Sequence, residues 1–193
     1  MVRKIKPVIY IFCEWKTEEK YFQKLKRILR NTSSQIKTFD LEWWTKIKDH
    51  PKRVQRFIKS KLKHEKIAWL TQKVFIVFDL DIFNPSQLQN TQNILKDFDL
   101  IVSNETFEYW ILSHFEEYDL PKWKIKYLNK IKEYLPNLGN DKFTWANDFN
   151  WLNMNNIKTA IKNAKEVNNT SSWNLKNRDP YSNVYEIIEF LEN

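Results

Sequence analysis

Cysteine, glycine and long apolar runs are scarce in this chain of 193 residues. Cys13 is the single cysteine, so no intrachain disulfide and no cysteine-based zinc cluster can form, and a reducing, cytoplasmic setting is expected. Gly139 is the single glycine. A Walker P-loop or a Rossmann dinucleotide turn needs several glycines for the backbone to approach phosphate, so both are excluded. Any phosphate chemistry must use a metal or basic side chains. No apolar stretch reaches the roughly 20 residues of a membrane span, so no membrane partner is expected. The apolar run behind the basic MVRKIK segment meets Glu14 after about six residues and has no small-residue cleavage site; it reads as a strand, not a signal peptide.

What the chain does have is the profile of one folded domain: 42% hydrophobic, 29% charged and 16% aromatic residues. The whole of 1–193 is expected to form it, with a core over about 6–118 and a helical extension over about 119–193. The net charge of +8 is unevenly spread. Lys52, Arg53, Arg56, Lys59, Lys61, Lys63 and Lys66 crowd one segment, with Glu65 its only acid, and Lys122, Lys124, Lys126, Lys130 and Lys132 crowd another. Such clusters favour polyanions through counterion release. A solvated helix face has the same composition.

Continuous apolar runs at 8–13 (VIYIFC) and 74–78 (VFIVF) are patterned as strands covered on both faces. Thr17 is placed to cap a helix that opens with Glu18 and Glu19 and carries Tyr21, Phe22, Leu25, Ile28 and Leu29 at helical spacing. Ile36 to Trp43 suggests a second strand, Pro51 opens the basic helix, Asn84 and Pro85 open another, and Leu100 to Val102 form a fourth strand. Residues 106–116 read as a buried helix, and Asp179-Pro180-Tyr181-Ser182 as the start of a last one. This alternation predicts an α/β fold, a mainly parallel four-stranded sheet with helices on both faces and a helical C-terminal part.

In such sheets, sites form beyond the carboxyl ends of the strands. Glu14 directly follows the first apolar run, and Asp79 and Asp81 close the third. Residues i and i+2 of an extended segment point the same way, so Asp79 and Asp81 can share one ion while Leu80 faces the core. Mg²⁺ or Mn²⁺ would relieve the repulsion among clustered carboxylates and serve a phosphoryl transition state. An isolated D-x-D after a strand equally suits a cap for the following helix. Haloacid-dehalogenase phosphatases and D-x-D glycosyltransferases also place the pair after an apolar strand, but Ile82, Phe83 and Asn84 fit the phosphatase pattern poorly.

A Glu closing the first strand and a D-x-D closing the third resemble the TOPRIM domain of topoisomerases, primases and OLD-type nucleases. IFCEWKTEEKYF (11–22), VFIVFDLD (74–81), SNETFEYWILSHF (103–115) and RDPYSNVYEIIEFL (178–191) resemble more closely the RloB-like family of TOPRIM proteins from bacterial phage-defence loci. The resemblance spans nearly the whole chain. It implies a TOPRIM-like Rossmannoid fold and a Mg-dependent nuclease, the effector of an abortive-infection system beside an AAA-type ATPase. Its substrate would be DNA, tRNA or another RNA. By position, Glu14 would be the general acid/base and Asp79 and Asp81 the metal ligands, with Glu108 and His114 inside the signature. Trp15 stands where the family usually has Gly, which is expected to narrow the approach to the metal or to alter the turn. A catalytically inactive module binding nucleic acid or protein is the alternative.

Other residues have competing readings. A carboxylate on so apolar a helix favours Glu108 facing a metal or cation. His114 falls in the core stripe, where a hydrogen-bonded structural histidine is the commoner case. Thr17 and Glu18 suit a cap and a dipole partner, or support for the metal. Lys52, Arg53, Arg56, Lys59 and Lys63 are the candidate nucleic-acid contacts. Trp43, Trp44, Trp123 and Trp173, standing among polar or basic residues, are the candidate base-stacking tryptophans.

Overall fold

The computed structural model describes residues 8–29, 35–41, 46–64, 71–80, 83–104, 106–118, 124–136, 149–170 and 180–192. Asp81, Trp43, Trp44, Lys122, Trp123 and Trp173 lie outside the described residues.

Strand β1 (Val8–Cys13) leads to helix α1 (Lys16–Ile28), and β2 (Gln35–Asp40) to α2 (Pro51–His64). Then come β3 (Thr71–Asp79), α3 (Pro85–Ile94), β4 (Asp99–Asn104) and α4 (Phe107–Leu112). Helices α5 (Lys124–Tyr134) and α6 (Met154–Thr170), strand β5 (Tyr181–Ser182) and helix α7 (Tyr185–Glu192) follow.

The sheet order is β2-β1-β3-β4-β5. The first four strands are parallel and β5 is antiparallel to β4. The chain steps from β1 outward to β2, then returns past β1 to β3 and continues to β4. The change of direction falls between β1 and β3, the switch point at which open α/β sheets build their sites.

Side chains alternate across the strands, so both faces must be covered. Ile9, Ile11, Cys13, Phe75, Val77 and Ile101 pack with Tyr21, Phe22 and Leu25 of α1 and with apolar residues of α4 to α7. Val8, Tyr10, Phe12, Ile76, Phe78 and Val102 pack on the opposite face with Val54 and Ile58 of α2 and Leu88 of α3. The continuous apolar runs of β1 and β3 are the sequence record of this double burial, and the architecture is a Rossmann-like α/β fold.

Three expectations change. The sheet has five strands among the described residues, not four, because Tyr181–Ser182 pairs with Ser103 and Asn104 and does not start a helix. The open edge of β4 is the reason. Ser103 and Ser182 hydroxyls bond at 3.0 Å, and Asn183 Oδ1 accepts from Val102 N at 2.7 Å, closing a backbone amide that would otherwise be buried unpaired. Strand β4 also runs on through Ser103 and Asn104, past the expected Val102. Helix α4 stops at Leu112, and Ser113 to Phe115 form a turn. No helix among the described residues is long and apolar enough to cross a membrane.

Candidate metal centre

Glu14 leaves β1 at the switch point, its backbone N–H donating to Val77 O at 3.0 Å, so the first strand's end is tied to the third. The side chain is 4% exposed, and Oε1 accepts from Ile47 N at 3.3 Å. Lys46 and Lys48 flank Ile47, and the turn from Lys46 to His50 enters α2 directly. The basic helix therefore starts beside the acidic edge.

Asp79 closes β3 and is 3% exposed. Its Oδ1 accepts from Phe107 N, the first amide of α4, at 2.8 Å. An Asp after a strand is thus a helix cap here, though not for the helix next in sequence. That helix, α3, has its own capping box, in which Asn84 Oδ1 accepts from Gln87 N at 2.8 Å and Gln87 Oε1 from Asn84 N at 3.1 Å. Leu80 is buried in the α2/α3 core, as expected of the residue between the two aspartates.

Glu18 and Glu108 complete the group from the first turns of α1 and α4. They are 1% and 2% exposed. Neither carboxylate oxygen of Glu18 has a hydrogen-bond partner in another described residue. Burial first, then the Asp79 charge, pushes the Glu18 carboxyl well above the ordinary range, with Glu14 and Glu108 adding to the rise. Its own backbone N–H acts in the opposite direction. Keeping a buried carboxylate charged beside three others costs free energy that protonation or a cation would relieve.

Glu18, by sequence a dipole partner or a support for the metal, is buried in the first turn of α1. The signal was available: Glu18 precedes Tyr21, Phe22 and Leu25 at i+3, i+4 and i+7, which puts it on the buried stripe of α1. Thr17 does not cap that helix. Trp15 is the N-cap residue, with no side-chain cap bond, and Thr17 is half-buried in the first turn.

Trp15 takes φ −128° and ψ 155°, extended backbone open to any residue, so the turn after Glu14 needs no glycine. Its side chain is 37% exposed and makes no ring contact among the described residues.

His114 stands apart from the carboxylates. It is fully buried, with Nδ1 donating to Trp110 O at 2.9 Å and Nε2 accepting from Tyr21 Oη at 3.0 Å. Burial lowers its pKa to about 4 despite those carbonyl bonds, which keeps the ring neutral. Rings of Tyr21, Trp110 and Trp151 surround it edge-on. It joins α1 to α4 and so sets the spacing of the elements that carry Glu18 and Glu108.

Lys52, Arg53, Arg56, Lys59, Lys61 and Lys63 are exposed along α2, opposite the buried Val54 and Ile58. Lys59 makes an exposed ion pair with Asp97 at 3.4 Å. In the second basic stretch, Lys130 is held by Glu133 at 2.7 Å and faces Glu116 at 3.7 Å, which neutralises part of that charge.

Among the described residues, no three His, Cys, Asp or Glu side chains stand close enough together to hold a metal ion. Asp79, Glu14 and Glu108 nevertheless act on Glu18 electrostatically, so four carboxylates bear on one another at this edge of the sheet. No curated protein and no solved structure matches the chain. The profile of the family described as RloB-like protein matches residues 9–191, nearly the full length, and the chain belongs to that family.

Proposed function

We propose that this protein is a metal-dependent nuclease acting on DNA or RNA, tRNA included, and that it serves as the effector of an abortive-infection defence in the bacterial cytoplasm. The observation that carries this reading is Glu18: a carboxylate buried among Glu14, Asp79 and Glu108 at the sheet's switch point, with neither oxygen matched by another described residue. The cluster fits a hard cation by donor type, and Asp79 with Asp81 and Glu14 would hold it, Glu18 and Glu108 facing it from the two helices. Bound Mg²⁺ or Mn²⁺ supplies positive charge for a phosphodiester transition state.

The chain's own residues do the rest. Glu14, hydrogen-bonded by the Ile47 amide, would complete the metal's ligand set or move a proton at the scissile phosphate. Lys46, Lys48 and the exposed cations of α2 receive the flanking phosphates. Helix α2 has 14 residues, about 20 Å of length, enough to follow several nucleotides from the acidic edge. An AAA-type ATPase is the proposed partner, by analogy with the defence loci in which the family occurs.

The rival is a TOPRIM-type fold kept for binding alone, to which Trp15 in place of the family's usual Gly would be relevant. The extended backbone at Trp15 needs no glycine, so the turn after Glu14 gives that rival no support. The test is cleavage of labelled DNA and RNA by purified protein with Mg²⁺ or Mn²⁺, with and without the ATPase. Cleavage that disappears in Asp79→Asn while binding persists supports the nuclease. No cleavage under any of these conditions overturns it.

A further inference from the structure

Only two large apolar side chains are exposed among the described residues, Trp15 and Tyr134. Tyr134 is engaged, its ring stacked on Phe115 at 5.0 Å and its hydroxyl donating to Glu116 at 2.6 Å. Trp15 makes no such contact. The exposed part of an indole costs hydrophobic free energy, and Trp15, 37% exposed, stands next to Glu14 in sequence, at the N-cap of the helix that carries Glu18. The Glu14 side chain in turn accepts from the Ile47 amide, which lies between Lys46 and Lys48 in the turn that enters α2. Glu14 is thus joined in sequence to a partly exposed indole and by its hydrogen bond to the turn that carries exposed Lys46 and leads into the basic helix.

A positively charged track beside a free aromatic face is how proteins hold single strands: cations take the backbone and the ring takes a base. A duplex interior offers no open base face. From this juxtaposition we propose that Trp15 stacks on an unpaired base next to the scissile phosphate and so directs the enzyme to single-stranded or looped nucleic acid. The four tryptophans that sequence context favoured for stacking lie outside the described residues, whereas Trp15 lies at the site itself. The proposal rests on the nuclease reading and narrows its substrate.

Fluorescence anisotropy tests it, with labelled single-stranded DNA and RNA oligonucleotides and the matching duplexes, Ca²⁺ replacing Mg²⁺ to prevent turnover. Trp15→Ala is expected to weaken single-strand binding roughly five- to hundredfold, the loss of one base stack. Trp15→Phe should recover most of that binding, and duplex binding should not change. One abasic position in the strand should weaken the wild type equally and cost Trp15→Ala nothing more. If Trp15→Ala binds single strands like the wild type, or loses single-strand and duplex binding alike, the stacking role is overturned, and a protein-contact role is left for Trp15. If the wild type binds no nucleic acid, both this proposal and the substrate class behind it are overturned.

Discussion

Asp79 Oδ1 accepts the Phe107 amide at 2.8 Å, so the carboxylate that closes β3 also caps the helix carrying Glu108. One residue thereby joins a candidate metal ligand to the element that supplies its neighbour. Substitution must separate the two roles. Asp79→Asn keeps an acceptor for Phe107 N and removes the charge, whereas Asp79→Ala removes both. Asp79→Asn should fold with a stability within about 1 kcal/mol of the wild type and lose Mg²⁺-dependent cleavage, while Asp79→Ala should lose about 1–2 kcal/mol in addition. Chemical denaturation alongside cleavage assays checks this. Equal stability of the two variants would contradict the capping role.

Glu18 gives a stability prediction with a definite sign. Its folded pKa is raised, so its favourable contribution exists at low pH and is lost as pH rises through the folded value. At pH 7.5 and without metal, Glu18→Gln should therefore unfold about 2–8 °C above the wild type. Adding Mn²⁺ should raise the wild-type midpoint and move the variant less, because a ligand stabilises only the state that binds it. Thermal unfolding with and without chelator measures both shifts. A metal-free variant less stable than the wild type would mean that Glu18 is charged and satisfied in the fold.

His114 titrates in the opposite sense. Its folded pKa of about 4 lies below the ordinary 6.5, so its contribution is fully present above 6.5 and is lost as pH falls toward 4. The gap is worth on the order of 3 kcal/mol. His114→Gln should be less stable than the wild type at pH 7 yet lose less stability between pH 7 and 4. Denaturant midpoints across that range decide it, and parallel curves would show that another group governs acid unfolding.

Neutralising exposed cations on α2 should weaken nucleic-acid binding without harming the fold. Lys52→Ala, Arg56→Ala and Lys63→Ala together should reduce affinity at moderate salt and lower the log–log salt slope by about one for each phosphate no longer neutralised. Thermal stability should change by less than about 0.5 kcal/mol per site, as these side chains are exposed. An unchanged salt slope would place the binding face elsewhere.

The parts legible in the sequence were those whose cause is local or periodic. Strands β1 and β3 are apolar throughout because each is covered on both faces, and Asn84-Pro85 marks a helix start that its own side chains build. Strand β5 was not legible. Tyr181–Ser182 is extended because Ser103, Asn104 and Asn168 pair with it from elsewhere in the chain, and nothing within two residues announces that. The expectation that Glu14 and Asp79 leave the sheet at one edge rested on both following apolar strands, and β1 and β3 are parallel neighbours. For Glu18 the sequence left a dipole partner and a support for the metal both open, and its position on the α1 stripe with Tyr21, Phe22 and Leu25 accounts for its burial. His114 followed the bland expectation of a core histidine, and its partner Tyr21, 93 residues away, could come only from the fold.

The central claim is that these buried carboxylates exist to hold a divalent cation, and anomalous diffraction from crystals soaked in Mn²⁺ tests it most directly. The account predicts a peak within coordination distance of Asp79, with Glu14 or Glu18 and Asp81 among its ligands, that is absent from Asp79→Asn crystals. A saturating soak with no peak at this edge, and with Glu18 hydrogen-bonded to the protein instead, would contradict it.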